Sequence, residues 1–124
     1  MSGTNWTIGI DFGTSNTAAA HTNPVKGTVE AVNLSHNRTT MSSSVYVESP
    51  DQIDVGDVAM DKAESNPAGF IPAPKRVIPQ QMFQVNGYDL SASMPVAAVL
   101  SSVVQRVSRE HGNIQPSELV LTHP

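Results

Sequence analysis

The stretch Ile8-Gly-Ile-Asp11-Phe-Gly13-Thr14-Ser15-Asn16-Thr17 places a polar, glycine-bearing turn between two segments that both suit extended backbone. Trp6 to Asp11 carries Ile8 and Ile10 on one face at period two, and Thr17 to Thr22 follows as a strand of small residues. The residues between them, Phe12 to Asn16, are too few for a helix, so the chain doubles back and the strands pair as an antiparallel hairpin. A further turn, Asn23-Pro24-Val-Lys-Gly27, leads into Thr28 to Asn33 and extends the hairpin to a three-strand meander.

Further along, Ser43 to Glu48 and Ile53 to Val55 read as short strands around Ser49-Pro50-Asp51, and Asp57 is expected to cap a short helix running to Glu64. Pro67, Pro72, Pro74 and Pro79 exclude a long helix between Asn66 and Pro79 and predict extended or loop structure there. Val85-Asn86-Gly87-Tyr88 is a hairpin signal of the Asn-Gly type.

The clearest helix opens at Ser93, expected as its N-cap, with Pro95 in the first turn. Val96, Val99, Leu100, Val103, Val104 and Val107 form one apolar stripe at helical spacing. Arg106 and Arg109 suit the negative end of the helix dipole, and Gly112 stops it. Five β-branched valines lower helix propensity, so packing has to hold this helix. Glu118 to Thr122 reads as a buried strand.

The turn at residues 11 to 16 is where chemistry concentrates. Closely spaced backbone N–H groups in a glycine-bearing turn converge on one concave spot, which suits an anion. Gly13 permits close approach, while Thr14, Ser15 and Asn16 add side-chain donors. Asp11 sets a carboxylate beside them, and a hard cation such as Mg²⁺ bridges carboxylate and phosphate through water. The turn lacks the Gly-Lys-Ser/Thr and the helix of a Walker loop, and it is not the strand-to-helix turn of a dinucleotide fingerprint. The same residue types also make an ordinary solvated hairpin with no ligand.

A chain of 124 residues, 39% apolar and 15% charged, fits one ordinary globular domain. The formal charge of −4 offers no basic face for nucleic acid. With no cysteine, disulfides and cysteine-ligated zinc are excluded. No leader-like segment opens the sequence and no apolar run approaches a membrane span, so a cytoplasmic protein without membrane partners is expected. His21, His36, His111 and His123 show no metal-ligand spacing and are read as solvent-facing or packing residues.

The hairpin resembles the first phosphate motif of the actin, sugar-kinase and heat-shock-chaperone superfamily. Within it, Asn37-Arg-Thr-Thr40 with Ser43 and Val45-Tyr-Val47 resembles the Arg-Thr-Thr-Pro-Ser segment of the seventy-kilodalton heat-shock chaperones. Val55-Gly56 with Ala59, then Asn66-Pro67, then Pro74-Lys75-Arg76-Val77-Ile78, are similar to that family's next landmarks in order. Leu119-Val-Leu-Thr-His-Pro124 resembles its strand ending in Val-Pro-Ala.

The resemblance implies an α/β fold: a ribonuclease-H-like half-lobe of an actin-like ATPase, with the meander, the helix and the last strand in one subdomain. Residues 1–36 and 91–124 would form that subdomain, and 37–90 a small inserted α+β subdomain. It implies ATP and Mg²⁺ as cofactors, and unfolded polypeptides and co-chaperones as partners of the parent protein. Asp11 would organise Mg²⁺ through water; Gly13, Thr14, Ser15 and Asn16 would hold the phosphates. Lys75 would be the catalytic cation at the γ-phosphate, and Pro124 the relay between lobes.

The sequence departs from the family at Met41, where proline is usual, at Pro72 and Pro74 around the lysine, in the short segment from Pro79 to Val85, and at His123. The family's second phosphate motif, adenosine motif and hydrolysis-assisting carboxylate have no counterpart here. The chain therefore reads as an N-terminal piece, weak in ATP binding and inactive alone, whose unfinished sheet favours self-association. The alternatives are a non-catalytic scaffold of the same fold, or another branch such as a bacterial actin or a sugar kinase. The Arg-Thr-Thr and Pro-Lys-Arg landmarks argue against that last reading.

Overall fold

The computed structural model describes residues 6–23, 25–34 and 38–122, and shows a mixed α/β chain with three sheets. In the largest sheet, β1 (Thr7–Phe12) pairs antiparallel with β2 (Asn16–Thr22), and β2 with β3 (Val29–Ala31). The meander expected from the turn chemistry is present. Its third strand is shorter than Thr28 to Asn33, and β4 (Thr40–Ser42) also pairs with β2, setting Asn16 opposite Ser42.

β5 (Val45–Ser49) and β6 (Gln52–Val55) form the second hairpin, with β7 (Phe70–Ile71) on the other edge of β5. Helix α1 (Gly56–Ser65) follows directly. Asp57 does not cap it: Val55 holds the cap position without a side-chain bond, and Asp57 lies in the first turn, where its charge suits the positive end of the helix dipole. The proline-rich segment is not extended throughout. It winds into two 3₁₀ turns, Pro67–Gly69 and Pro74–Gln80, each opened by a proline at a position that needs no N–H donor.

β8 (Met82–Val85) and β9 (Tyr88–Ser91) close on Asn86 and Gly87, with φ of 50° and 82°, the left-handed pair that an Asn-Gly turn supplies. Helix α2 (Ser93–Ser108) runs on through a 3₁₀ turn, Arg109–His111, to Gly112 at φ 66°. Its start differs from the expectation, because Ser91 accepts the Ser93 N–H at 3.4 Å while Ser93 is already helical.

The stripe on α2 is the spine of the molecule. Val103 and Val107 pack with Trp6, Ile8, Ile10, Ala19, Val32 and Leu34 against the large sheet. One turn earlier, Val99 packs with Phe12, Val45, Val47, Ile71 and Leu90. Burying a valine contributes about 1.5–3 kcal/mol, whereas its helix-propensity cost is at most about 0.7 kcal/mol, so burial decides the conformation.

β10 (Glu118–Thr122) lies parallel to β1, Thr7 opposite Glu118 and Asp11 opposite Thr122. It is not the buried strand its apolar run predicts. Leu119, Val120 and Leu121 are 44%, 47% and 40% exposed, because β10 forms an edge of the sheet. Among the described residues no helix is long and apolar enough to cross a membrane.

Candidate functional site

Strand alternation builds the site from β1. Ile8, Ile10 and Phe12 point into the core, which turns Thr7, Gly9 and Asp11 to the other face and leaves the Asp11 carboxylate exposed at the strand end. Phe12 belongs to the second core and Ile8 and Ile10 to the first, so the turn sits where the two cores meet.

Inside the turn the Gly13 N–H donates to the Asn16 carbonyl at 3.0 Å. Gly13 is required here by space, since its φ is not positive. A Cβ at this position would lie 2.6 Å from the Asn16 carbonyl oxygen, a backbone atom with no freedom to yield.

Three carbonyls of the hairpin are held from outside it. Lys75 Nζ donates to the Phe12 carbonyl at 3.2 Å. Ser43 Oγ donates to the Gly13 carbonyl at 2.9 Å, and the Ser43 N–H donates to the Ser15 carbonyl at 2.9 Å. The Ser43 hydroxyl has spent its one proton on Gly13, so the Thr17 hydroxyl, 2.9 Å away, must donate to Ser43. Thr17 and Ser43 are both fully buried, and this relay ties the turn to the strand pair β2–β4.

The anchoring dictates where the amides point. In a planar trans peptide the N–H lies opposite its carbonyl, and no peptide described here is cis. With the Gly13 carbonyl drawn to Ser43, the Thr14 N–H projects to the other side. Among the described residues, no backbone carbonyl takes the N–H of Thr14 or Ser15, and the side chains of Asp11, Thr14, Ser15 and Asn16 make no hydrogen bond. The result is a rigid turn with spare donors.

Of the residues singled out by the sequence, Gly13, Thr14, Ser15 and Asn16 form one turn, Asp11 stands at its entrance, and Lys75 reaches it from 63 positions away. Lys75 is half-buried and makes no ion pair among the described residues, so its ammonium faces a neutral carbonyl with donors to spare. Pro124 lies outside the described residues, as do His36, Asn37 and His123. Arg38 and Thr39 are exposed beside β4.

The sequence marks Ser43 as the start of a short strand and as a family landmark, not as an anchor of the turn. Its anchoring role was not legible, because a buried serine and a solvated one look alike until β4 is placed. A hollow of about 450 Å³ lies between the start of α1 and α2, lined by Met41, Val55, Asp57, Arg106 and Arg109 among others. His21 and His111 are packing residues, buried and bonded to one another, and not solvent-facing. No cluster of three or more His, Cys, Asp or Glu side chains suited to a metal occurs among the described residues.

Compared with known proteins, the chain matches no protein-family model and no curated protein sequence.

Proposed function

We propose that this chain supplies the first phosphate-binding loop of an ATP-binding, ATP-hydrolysing domain of the seventy-kilodalton heat-shock chaperone type. One observation carries the reading: the carbonyls of the turn are tied down by Ser43 and Lys75, among the described residues no backbone carbonyl takes the Thr14 and Ser15 N–H groups, and neither the Asp11 carboxylate nor the Lys75 ammonium makes an ion pair there. That donor set fits a polyphosphate, and Asp11 fits the hydrated shell of Mg²⁺.

In this reading the large sheet with α2 is a ribonuclease-H-like half-lobe, and residues 37–90 are its small inserted subdomain. MgATP supplies a scissile γ-phosphoryl bond whose charge the metal partly neutralises. The Thr14 and Ser15 amides bind the phosphate oxygens, and the side chains of Thr14, Ser15 and Asn16 orient them. Lys75 adds positive charge where a phosphoryl oxygen gains negative charge. Pro124 is proposed as the interlobe relay on the resemblance alone. Unfolded polypeptides and co-chaperones are the proposed partners of the parent protein, and the cytoplasm its proposed location.

One wall of a site positions a substrate poorly, so the chain is expected to bind MgATP with a dissociation constant on the order of 1 mM, about −4 kcal/mol. The test is an amide-resonance titration of the labelled chain with MgATP and, separately, with inorganic triphosphate. Both ligands should move Thr14, Ser15 and Asn16 first. Resonances of the turn that stay fixed through saturation would reject the reading.

A further inference from the structure

At the opposite end of β1 and β2 from the turn, two imidazoles meet out of solvent. His21 on β2 and His111 in the 3₁₀ turn after α2 are 4% and 6% exposed, and His21 Nδ1 lies 2.9 Å from His111 Nε2. The rings cross at 89°, and His111 lies flat on Trp6, with ring centroids 3.8 Å apart and planes 4° apart. Trp6 donates its indole N–H to the Ile114 carbonyl at 2.9 Å, and its own carbonyl accepts the N–H and hydroxyl of Ser117. The cluster thus clamps the segment leading to β10 onto the start of β1.

Proton count governs such a pair. Neutral rings meet as one N–H and one lone pair. A single added proton leaves the bond in place, since the imidazolium N–H donates to the neutral partner. A second proton sets N–H against N–H with a positive charge on each ring, in a site closed to water.

The charged groups facing the pair are few. Glu30 stands opposite His21 on β3, but its carboxylate is held by Asn23 and Thr28, with Lys26 at 3.8 Å. Glu110 adjoins His111. Trp6, just before β1, and Ile8, opposite His21, are uncharged, and Arg109 precedes His111 by two residues in the same 3₁₀ turn.

We infer that His21 and His111 form a proton-sensitive latch, closed while the pair carries at most one proton and released when both rings are charged, freeing the segment from Arg109 to Thr122 while the β5–β7 sheet stays folded. Burial, and then the neighbouring His21 charge, hold His111 below the ordinary histidine pKa against the weaker pull of Glu110. The open state therefore binds more protons below the ordinary value of about 6.5, and the closed state loses ground as the pH falls through that value.

Hydrogen exchange of the 124-residue chain tests the latch, comparing pH 7.5 with 5.5 after correction for intrinsic rates. Protection of residues 109–122 relative to residues 45–55 should drop about tenfold on acidification, the factor for one linked proton one pH unit below its free value. His111→Phe keeps a ring on Trp6 without a charge and should hold that ratio constant. An unchanged ratio in the wild type, or the same drop in the variant, overturns the proposal. Should His111→Phe fail to fold, a histidine ring-proton titration of the wild type decides. The latch requires that only one ring gain a proton while residues 109–122 stay protected, and two rings titrating fully in the protected state overturn it.

Discussion

The Lys75 ammonium lies 3.2 Å from the carbonyl of Phe12, the last residue of β1 and the neighbour of Asp11. The 3₁₀ turn Pro74–Gln80 brings it there, with Pro74 buried at the start of the turn and Val77 packed into the second core. A proline-rich stretch that cannot be helix thus becomes a short rigid arm. The cation is held on the carbonyl of Phe12, two residues before Thr14, and no carboxylate among the described residues pairs with it.

Lys75→Ala should therefore leave the fold nearly intact, since a half-exposed lysine bonded to one carbonyl contributes about 0.5–1.5 kcal/mol or less. In a polypeptide that also carries the opposing wall of the site, it should abolish ATP turnover and spare nucleotide binding. Steady-state hydrolysis beside a fluorescent-nucleotide titration measures both. Unchanged turnover would remove Lys75 from the proposed chemistry.

Ser43→Ala removes the donor to the Gly13 carbonyl and the acceptor for the Thr17 hydroxyl, both in a fully buried setting. Leaving such groups unpaired should cost about 1–3 kcal/mol of stability, readable by urea denaturation. Ser43→Thr keeps the hydroxyl and isolates its contribution from that of cavity formation. A loss below the error of the fit for Ser43→Ala would show that the relay carries no weight.

Gly13→Ala forces a Cβ to within 2.6 Å of the Asn16 carbonyl oxygen, so the turn must open. The expected loss is about 1–3 kcal/mol, with triphosphate binding weakened at least as much. By contrast Gly9→Ala, where a Cβ meets nothing within 4 Å, should be close to neutral. Equal effects at the two glycines in a thermal melt would contradict the close-approach argument.

The exposed edge of β10 presents Leu119, Val120 and Leu121 together with strand backbone that pairs only β1 among the described residues. Sedimentation velocity should find concentration-dependent association of the chain, and Val120→Lys should suppress it, as a charged edge does in natural sheets. A chain that stays monomeric at high concentration would show that this edge attracts no second copy.

Local physics made much of this molecule readable from its residues. Period-two placement of Ile8 and Ile10, the polar turn after them, the Asn86-Gly87 hairpin and the valine stripe of α2 each arise within a few neighbouring positions, and each stands as expected. Capping was read less well. Asp57 and Ser93 lie inside their helices, because a carboxylate or hydroxyl near a helix start fits several adjacent positions about equally well.

What the sequence determined by itself is the turn at residues 11 to 16 and the strands that carry it, since their conformation follows from short-range sterics and alternation. Only the tertiary structure decided that Ser43 and Lys75 fasten that turn, and that His21 meets His111 from 90 positions away. It alone also put an apolar strand at an open edge. Contacts between residues far apart in the chain depend on how strands and helix stack around a shared core, and no pattern within one segment encodes that stacking.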